Sequence, residues 1–248
     1  MKINIPVTDK EAGQMLRDRN DLFLCASYKE SYKNWDTEVR EYLLENNPPS
    51  PRILNYLTLR LHPLENTVPF VKNSGDVEIN KSEQMPYECI PLYMGRFIED
   101  LQIASKIKPR KNPRDIKFID AGCGVGDKTA IASFFGFNAY GVDYSSFYIE
   151  CCRAFKGDRF SEDKRFMLGD ITTFNFSGYN IIYAYNPMQT VEGMYKFFDN
   201  VFMTADPETI CIFENVGTGQ VALNKMKNKF APIPKTERGF YTVNKEKK

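Results

Sequence analysis

Short, almost wholly apolar runs alternate with amphipathic stretches along the second half of the chain. The runs predict five strands, at 116–121, 138–143, 165–168, 179–185 and 208–214. The stretches between them predict three helices. The first ends at Gly136, the second runs near 146–155 with Ser145 as its cap, and the third runs near 191–203. Apolar strands separated by helices are typical of a parallel sheet covered on both faces. The pattern predicts an α/β fold with a doubly wound, mostly parallel sheet, followed by one helix over 221–230 and a strand or hairpin within 238–245.

The residues before this region predict a helical N-terminal extension. Helical spacing predicts helices from Thr8 or Asp9 to about Ala26, from Trp35 to Leu43, and from Pro91 to about Lys106. The run 52–61 is too evenly apolar to decide between helix and strand. Residues 63–86, rich in Pro, Asn, Gly and Ser, predict a long loop that we expect to form a lid over the carboxyl-end face of the sheet. We expect residues 1–87 to form a substrate cap and residues 88–248 to form the α/β core.

Charge and hydropathy indicate neither a membrane nor a nucleic-acid partner. The 33 Lys and Arg residues balance 32 Asp and Glu residues to a net charge of +1, so no overall field favours such partners. Basic runs at 106–117 and 225–248 leave nucleic acid possible without indicating it, and the oligomeric state stays open. No apolar run approaches the roughly 20 residues of a membrane-spanning helix. Residues 1–13 lack the apolar region of a secretory signal.

Cysteine and histidine usage narrows the chemistry. The six cysteines show no C-x-x-C spacing, which indicates reduced thiols in a cytoplasmic protein. His62 is the single histidine, which excludes a Ser-His-Asp or Cys-His hydrolase built on another histidine and any poly-His metal site. We therefore expect no metal and a reaction that needs no histidine.

A glycine-rich turn follows the first predicted strand, at the edge of the sheet where open α/β proteins bind ligands. Its spacing departs from a P-loop, because Ala121 stands where the first glycine would fall and Asp127 separates Gly126 from a lysine. It departs from the dinucleotide fingerprint as well, because Asp127 also stands where the third glycine would fall. What remains is a G-x-G-x-G turn preceded by Asp120.

Acidic residues also follow the next two predicted strands. Asp143 ends the second strand, where a carboxylate can accept both hydroxyls of a ribose; a helix cap is the alternative. Asp170 follows the third strand, where it can accept from an exocyclic amine while Ile171 lies against a ring face; a simple turn is the alternative. Three acids at three successive strand ends favour a nucleoside ligand.

The residues 88–215 resemble the class I S-adenosylmethionine-dependent methyltransferases. The resemblance rests on FIDAGCGVGD (118–127), AYGVD (139–143), GDI (169–171) and NIIYAYNPM (180–188). It implies S-adenosyl-L-methionine as cofactor, with the methionine part held by Asp120, Gly122, Gly124 and Gly126, the ribose by Asp143, and the adenine by Asp170 and Ile171. It further implies that Tyr185, Asn186 and Pro187 face the transferable methyl group. Tyr144 is expected to pack on the adenine or the sulfonium.

The methyl acceptor stays unidentified at this point. Family members that methylate planar nitrogens carry Asn or Asp, two prolines and an aromatic residue after the fourth strand. This chain has Asn186 and Pro187 followed by Met188 and Gln189, so the second proline and the stacking ring are missing. A protein side chain, a nucleic acid or a small molecule, with an oxygen, carbon or lysine acceptor, all stay open.

Two other functions compete with methyl transfer. An NAD-dependent oxidoreductase would share the acid at the second strand end, but the glycine spacing speaks against it. A catalytically silent member would bind the cofactor and serve as an interaction module. The expectation we carry forward is a cytoplasmic S-adenosylmethionine-dependent methyltransferase.

Overall fold

A computed structural model describes most of the chain from the second predicted helix onward. The described residues are 26–51, 53–54, 56–57, 94–109, 112–154, 165–214, 217, 219–234, 236 and 239–243. The predicted helix that starts at Thr8 or Asp9, the predicted lid 63–86 and His62 lie outside the described residues, apart from the end of that helix at Ala26.

Six α-helices occur in the described part of the chain. They are α1 Ala26–Leu44, α2 Met94–Ile107, α3 Asp127–Phe134, α4 Ser146–Ala154, α5 Val191–Thr204 and α6 Gly219–Lys225. The described residues between 51 and 57 are also helical, so the evenly apolar run begins as a helix. Ser145 caps α4 as predicted, because its Oγ accepts from the Tyr148 N–H at 3.4 Å. Thr190 caps α5 in the same way, accepting from the Gly193 N–H at 3.0 Å. No helix in this part is both long enough and apolar enough to cross a bilayer.

Seven strands form one sheet. They are β1 Lys117–Ala121, β2 Asn138–Asp143, β3 Phe166–Leu168, β4 Ile181–Tyr185, β5 Ile210–Glu214, β6 Phe230–Pro232 and β7 Phe240–Val243. The spatial order is β3-β2-β1-β4-β5-β7-β6; β7 pairs antiparallel with β5 and with β6, and all other pairs are parallel. The predicted doubly wound, mostly parallel α/β fold is confirmed. Strand order reverses between β1 and β4, which places a ligand-binding crevice at their carboxyl ends.

The predicted helix over 221–230 is wrong in its second half. Helix α6 ends at Lys225, and Phe230 begins strand β6, where it pairs with Val243. The Phe230 ring lies 5.7 Å from the Phe213 ring and 6.1 Å from the Phe198 ring, centroid to centroid. Burial of this aromatic cluster against the sheet favours a strand over a longer helix.

Alternating side chains divide the core between the two faces of the sheet. One face carries Phe118, Tyr183 and Ile212, packed with residues of α1, α2, α3 and α4. The other face carries Ile119 and Ala184, packed with residues of α5 and α6. This alternation decides which strand-end side chains meet in the site, because residues two apart share a face.

The described N-terminal helices share the first of these cores. The Tyr56 hydroxyl donates to the buried Asp36 carboxylate at 2.7 Å and so ties the helical residues near 56 to α1. Gln102 of α2 donates through Nε2 to the carbonyls of Leu43 and Asn47, at 2.9 and 3.0 Å. These bonds tie α2 to the last turn of α1 and to the residues that follow it. The described part of the extension is therefore packed on α2 rather than separate from it.

Candidate functional site

The predicted glycine turn connects β1 to α3 and is folded against the end of β2. Gly122, Gly124 and Gly126 have φ of 82°, 51° and 81°, a region that residues with a Cβ rarely adopt. The N–H groups of Gly122 and Cys123 both donate to the Val142 carbonyl, at 2.9 and 3.0 Å. The backbone of the turn is thereby held at the carboxyl edge of the sheet.

Two of these glycines allow close contacts in different directions. A Cβ at Gly126 would lie 2.7 Å from Phe166 Cε1 and 2.9 Å from Cys152 Sγ, so the turn packs tightly on β3 and α4. A Cβ at Gly122 would lie 3.3 Å from Pro187 Cβ. Gly122 therefore brings the turn beside the segment that follows β4, as the sequence-based map requires.

The Asp143 carboxylate joins the turn to the start of α4. Its Oδ2 accepts from the Gly124 N–H at 2.9 Å, and its Oδ1 accepts from the Ser145 N–H at 2.9 Å. Burial raises the pKa of Asp143, and these N–H groups oppose that shift. The N–H groups of Gly124, Ser145 and Tyr144 use part of the acceptor capacity of this carboxylate, and the rest is compatible with a ribose role beside the capping role.

Asp120, at the end of β1, is fully buried and accepts no hydrogen bond from any residue that the structure describes. Burial raises its pKa to about 7, with Lys128 opposing the shift and Asp127 and Asp143 adding to it. The turn N–H groups described above are bonded to Val142 and Asp143, so Asp120 does not orient them. A buried acid in this state needs an external donor or cation to offset its desolvation.

Lys128 supplies positive charge beside that acid. It lies in the first turn of α3 and is 5% exposed; its Nζ is 3.9 Å from Asp127 Oδ1 and 5.2 Å from the centroid of the Tyr185 ring. Sequence reasoning considered Lys128 only as part of a P-loop pattern and missed it as a site residue. A lysine two residues after the last glycine of the turn was the available signal.

The residues expected to bind adenine lie after β3. Asp170 Oδ1 accepts from the Thr172 N–H at 2.8 Å and from the Thr172 hydroxyl at 2.7 Å, which closes a short turn. Ile171 is buried beneath that turn, whereas Tyr144 is 40% exposed and Leu168 is 58% exposed. Leu168 is the register partner of Asp143, so exposed apolar surface lies next to Asp143, the acid expected to bind the ribose.

The turn after β4 has a strained residue at its centre. Asn186 has φ of 44°, uncommon for a residue with a Cβ, and its N–H donates to the Glu214 carbonyl at 3.0 Å. Tyr185 precedes it and Pro187 follows it, next to Gly122. Strain of this kind clusters at functional sites and agrees with the predicted role of this turn.

The structure also brings together three charged residues that sequence reasoning did not select. Arg96 of α2 lies 3.5 Å from Asp100 Oδ1 of the same helix and 3.2 Å from Glu214 Oε1 at the end of β5. Asp100 interrupts an otherwise apolar helix face, and Glu214 is the acid at the fifth strand end; both signals were present in the sequence. Within the described ranges, no group of three or more His, Cys, Asp or Glu side chains is arranged to hold a metal ion.

Comparison with known proteins finds a family match over the α/β region. Residues 113–247 match the family model described as "Methyltransferase domain". No curated protein matches the chain significantly.

Solved structures with a similar fold include two with bound cofactor or its product. An RNA methyltransferase from Salinibacter ruber in complex with S-adenosyl-L-homocysteine is 16% identical with a TM-score of 0.47, covering 64% of this chain and 97% of that one. Magnesium protoporphyrin IX methyltransferase from Synechocystis PCC 6803 with bound SAM is 15% identical with a TM-score of 0.42, covering 63% and 84%.

The packing of the glycine turn can be tested with two alanine variants. Gly126→Ala places a Cβ against Phe166 and Cys152, whereas Gly178→Ala has the same positive φ, 79°, with nothing within 4 Å. We expect Gly178→Ala to lower the free energy of unfolding by about 1–2 kcal/mol through backbone strain alone. Gly126→Ala should lower the free energy of unfolding by roughly 1–3 kcal/mol more than Gly178→Ala, through overpacking. Equal losses in urea denaturation would contradict the tight packing of the turn.

The burial of Asp120 predicts a stabilising substitution. Its folded-state pKa, about 7, lies above the ordinary 3.8, so the folded chain binds the extra proton and loses stability as pH rises from about 4 to about 7. Asp120→Asn removes that cost, and we expect it to be more stable than the wild type by roughly 1–4 kcal/mol at pH 8, with no gain near pH 4. Denaturation at the two pH values measures this difference.

The matched control for that prediction is Asp115→Asn, which removes an exposed carboxylate from the 3₁₀ turn before β1. We expect its stability to stay within about 0.5 kcal/mol of the wild type at both pH values. An Asp120→Asn protein that is no more stable than the wild type at pH 8 would show that the Asp120 carboxylate is already compensated.

Proposed function

Because the chain belongs to the methyltransferase domain family and is an S-adenosylmethionine-dependent methyltransferase, we propose that its cofactor lies along the carboxyl ends of β1, β2 and β3. The methyl acceptor then approaches from the side of β4 and β5. The observation that carries this placement is the Asp120 carboxylate, buried without a hydrogen-bond donor among the described residues.

The side chains at this edge fit the groups that the cofactor carries. S-adenosylmethionine has an α-ammonium, an α-carboxylate, ribose hydroxyls and an adenine ring, and it has no phosphate. A buried acid at Asp120 suits the ammonium, and a buried cation at Lys128 suits the carboxylate. The backbone of Gly122 and Gly124 leaves room for the methionine chain between these charges. Gly126 supports the same turn from below, through its packing on β3.

The nucleoside part is assigned to the ends of β2 and β3. Asp143 accepts from the backbone N–H groups of Gly124, Ser145 and Tyr144 and can accept from the ribose with its remaining capacity. Tyr144 and Leu168 offer exposed apolar surface for the adenine ring, with Ile171 beneath and Asp170 as acceptor for the exocyclic amine. The turn that Asp170 closes with Thr172 presents this carboxylate at the sheet edge.

The cofactor supplies a methyl group on a sulfonium sulfur, and the protein's task is to align an acceptor with it. Orientation of this kind can contribute up to about 7–11 kcal/mol to lowering the barrier. Asn186 and Pro187 are assigned to that face because the strained turn lies against Gly122. Tyr185 is assigned to holding Lys128, whose ammonium lies over its ring.

An NAD-dependent oxidoreductase is the alternative function for the same crevice, and it fits the residues there less well. A pyrophosphate at the N-terminus of α3 would meet Asp127, which is buried in the first helical turn. The carboxylate would repel the phosphates, whereas a cofactor without phosphate avoids this conflict.

Two further assignments concern the setting of the enzyme. Cys123, Cys152 and Cys211 are buried free thiols, and those of Cys123 and Cys152 both donate to the Gly124 carbonyl, which supports a reducing, cytoplasmic location. Residues 1–87 are assigned as the cap on the acceptor side, because the described part of them packs on α2.

Calorimetric titration with S-adenosylhomocysteine tests the cofactor site, with NAD as the control ligand. We expect Asp143→Ala to raise the dissociation constant for S-adenosylhomocysteine by roughly 5- to 150-fold, about 1–3 kcal/mol, because ribose hydroxyls lose a charged acceptor. Asp206→Ala is the matched control, since Asp206 also holds a backbone N–H, that of Gly178 at 2.8 Å, but lies at the other edge of the sheet. Unchanged affinity in Asp143→Ala would remove this residue from the site.

A substitution of Lys128 tests the methionine end of the proposed cofactor site separately from its nucleoside end. We expect Lys128→Met to weaken the binding of S-adenosylhomocysteine by about 10- to 100-fold, because the buried α-carboxylate of the ligand would lose its cation. Binding of 5′-methylthioadenosine, which has no amino-acid group, should stay within about twofold. Lys225→Met, at an exposed position of α6, is the control. Equal losses for the two ligands would place Lys128 outside the methionine site.

A further inference from the structure

A second charged cluster lies beside the cofactor site and has no role in the assignments above. It consists of Arg96, Asp100 and Glu214, and we refer to it as the Arg96 cluster. One Arg96 nitrogen, Nη2, bonds Glu214 Oε1 at 3.2 Å, and another, Nε, lies 3.5 Å from Asp100 Oδ1. The side chains of Asp100 and Glu214 are 1% and 12% exposed. One guanidinium thus faces two carboxylates, which leaves one negative charge when all three groups are ionised.

The cluster shares a face and an edge of the sheet with the cofactor site. Asp120 of β1 is the register partner of Tyr183 in β4, and Tyr185 is the register partner of Glu214 in β5. Side chains two apart on a strand share a face, so these four lie on the face that α2 covers. Burial raises the pKa of Tyr183, and the charges of Asp100, Asp120 and Glu214 add to that shift. The cluster is therefore one strand beyond the proposed methyl-transfer position.

Asp100, like Asp120, is buried without a hydrogen-bond donor among the described residues, although Arg96 lies beside it as an ion-pair partner. Neither of its oxygens accepts a hydrogen bond from a residue in the described part of the chain, and Arg96 Nε makes none either. A carboxylate buried to this degree is costly unless a donor or a cation meets it. Two buried acids on one face, neither of them accepting a hydrogen bond from a described residue, indicate two separate ligand groups.

We propose that Asp100 and Glu214 bind the nitrogen of an amine acceptor, and that Asp100 accepts the proton this nitrogen must lose. This inference rests on the proposed function. An alkylammonium ion gives one proton to the Asp100 carboxylate, and the freed lone pair forms a bond to the methyl carbon. The carbon–sulfur bond breaks with its electron pair on sulfur, which leaves S-adenosylhomocysteine and a methylated ammonium. The proton on Asp100 then passes to solvent.

The charge of the cluster favours this acceptor class over others. Its two carboxylates exceed its one guanidinium, so a cation is attracted and a carboxylate-bearing acceptor is repelled. An alcohol brings no charge to compensate Asp100, and a carbon acceptor brings no donor. An amine brings both a charge and N–H donors.

The surroundings of Asp100 set the pH dependence. Burial and Glu214 raise the pKa of Asp100 to about 8, Arg96 opposes the shift, and Glu99 adds to it from the exposed side of α2. Tyr183 faces it from β4. Since the carboxylate is the proton-accepting form, kcat/KM for an amine should rise with pH up to about 8.

The test uses n-butylamine as the probe, with n-butanol and butyrate as the competing classes, on the full chain saturated with S-adenosylhomocysteine. NMR titration near pH 8 should show saturable binding of n-butylammonium and at least about tenfold weaker binding of the other two. Asp100→Asn and Glu214→Gln should each weaken the binding of n-butylammonium by at least about tenfold. The affinity for S-adenosylhomocysteine should stay within about twofold of the wild type. Glu192→Gln, which removes an exposed carboxylate from α5, is the control and should change neither affinity.

A second measurement follows methylation of n-butylamine by mass spectrometry with S-adenosylmethionine present. Asp100→Asn should lower kcat/KM by about 100-fold and lose the rise toward pH 8, whereas Glu192→Gln, at an exposed position of α5, should keep both. Preference for n-butanol or butyrate, or unchanged amine binding in both cluster variants, would overturn the amine subsite. An amine that binds without being methylated would overturn the proton-accepting role. A wild-type chain that fails to bind S-adenosylhomocysteine would instead overturn the proposed function on which both rest.

Discussion

The arrangement of this site depends on a carboxylate that the fold buries without compensating it. Asp120 lies near the carboxyl end of β1, where no described side chain or backbone group donates to it. Lys128 lowers the cost of ionisation but does not remove it, since burial still raises the pKa of Asp120 to about 7. A fold that keeps such a group at the reversal of strand order keeps a position that a cationic ligand completes. Stability is thereby lost in the free protein and recovered on binding.

The neighbouring elements hold the backbone around Asp120 without using its oxygens. The turn donates to Val142 and Asp143, and Asp143 in turn accepts from the start of α4. Gly126 lets the turn lie on β3, and Gly122 lets it lie beside Pro187. These bonds and contacts fix the frame of the glycine turn at the carboxyl edge of the sheet through the protein's own groups.

Much of the fold followed from the sequence, because apolar strands and helix caps are local signals. Strands β1 to β5 and the Ser145 cap were predicted, and the acids at three strand ends were found. The turn into β6 was not predicted, because the sequence pattern of the helix continues to Phe230. Only the contacts of Phe230 with Phe198 and Phe213 favour a strand there. Asp100 and Glu214 were visible as an acid in an apolar helix face and an acid at a strand end. Their pairing through Arg96 spans more than a hundred residues and could not be read locally.

The ionisation of Asp120 with and without ligand tests the central claim most directly. Carbon-13 NMR of labelled aspartate carboxyls, assigned through the Asp120→Asn variant, measures this pKa during titration. We expect a pKa near 7 in the free chain and a clear fall when S-adenosylhomocysteine binds, because its ammonium would meet the carboxylate. A pKa near the ordinary 3.8 in the free chain, or one that binding does not move, would contradict the account.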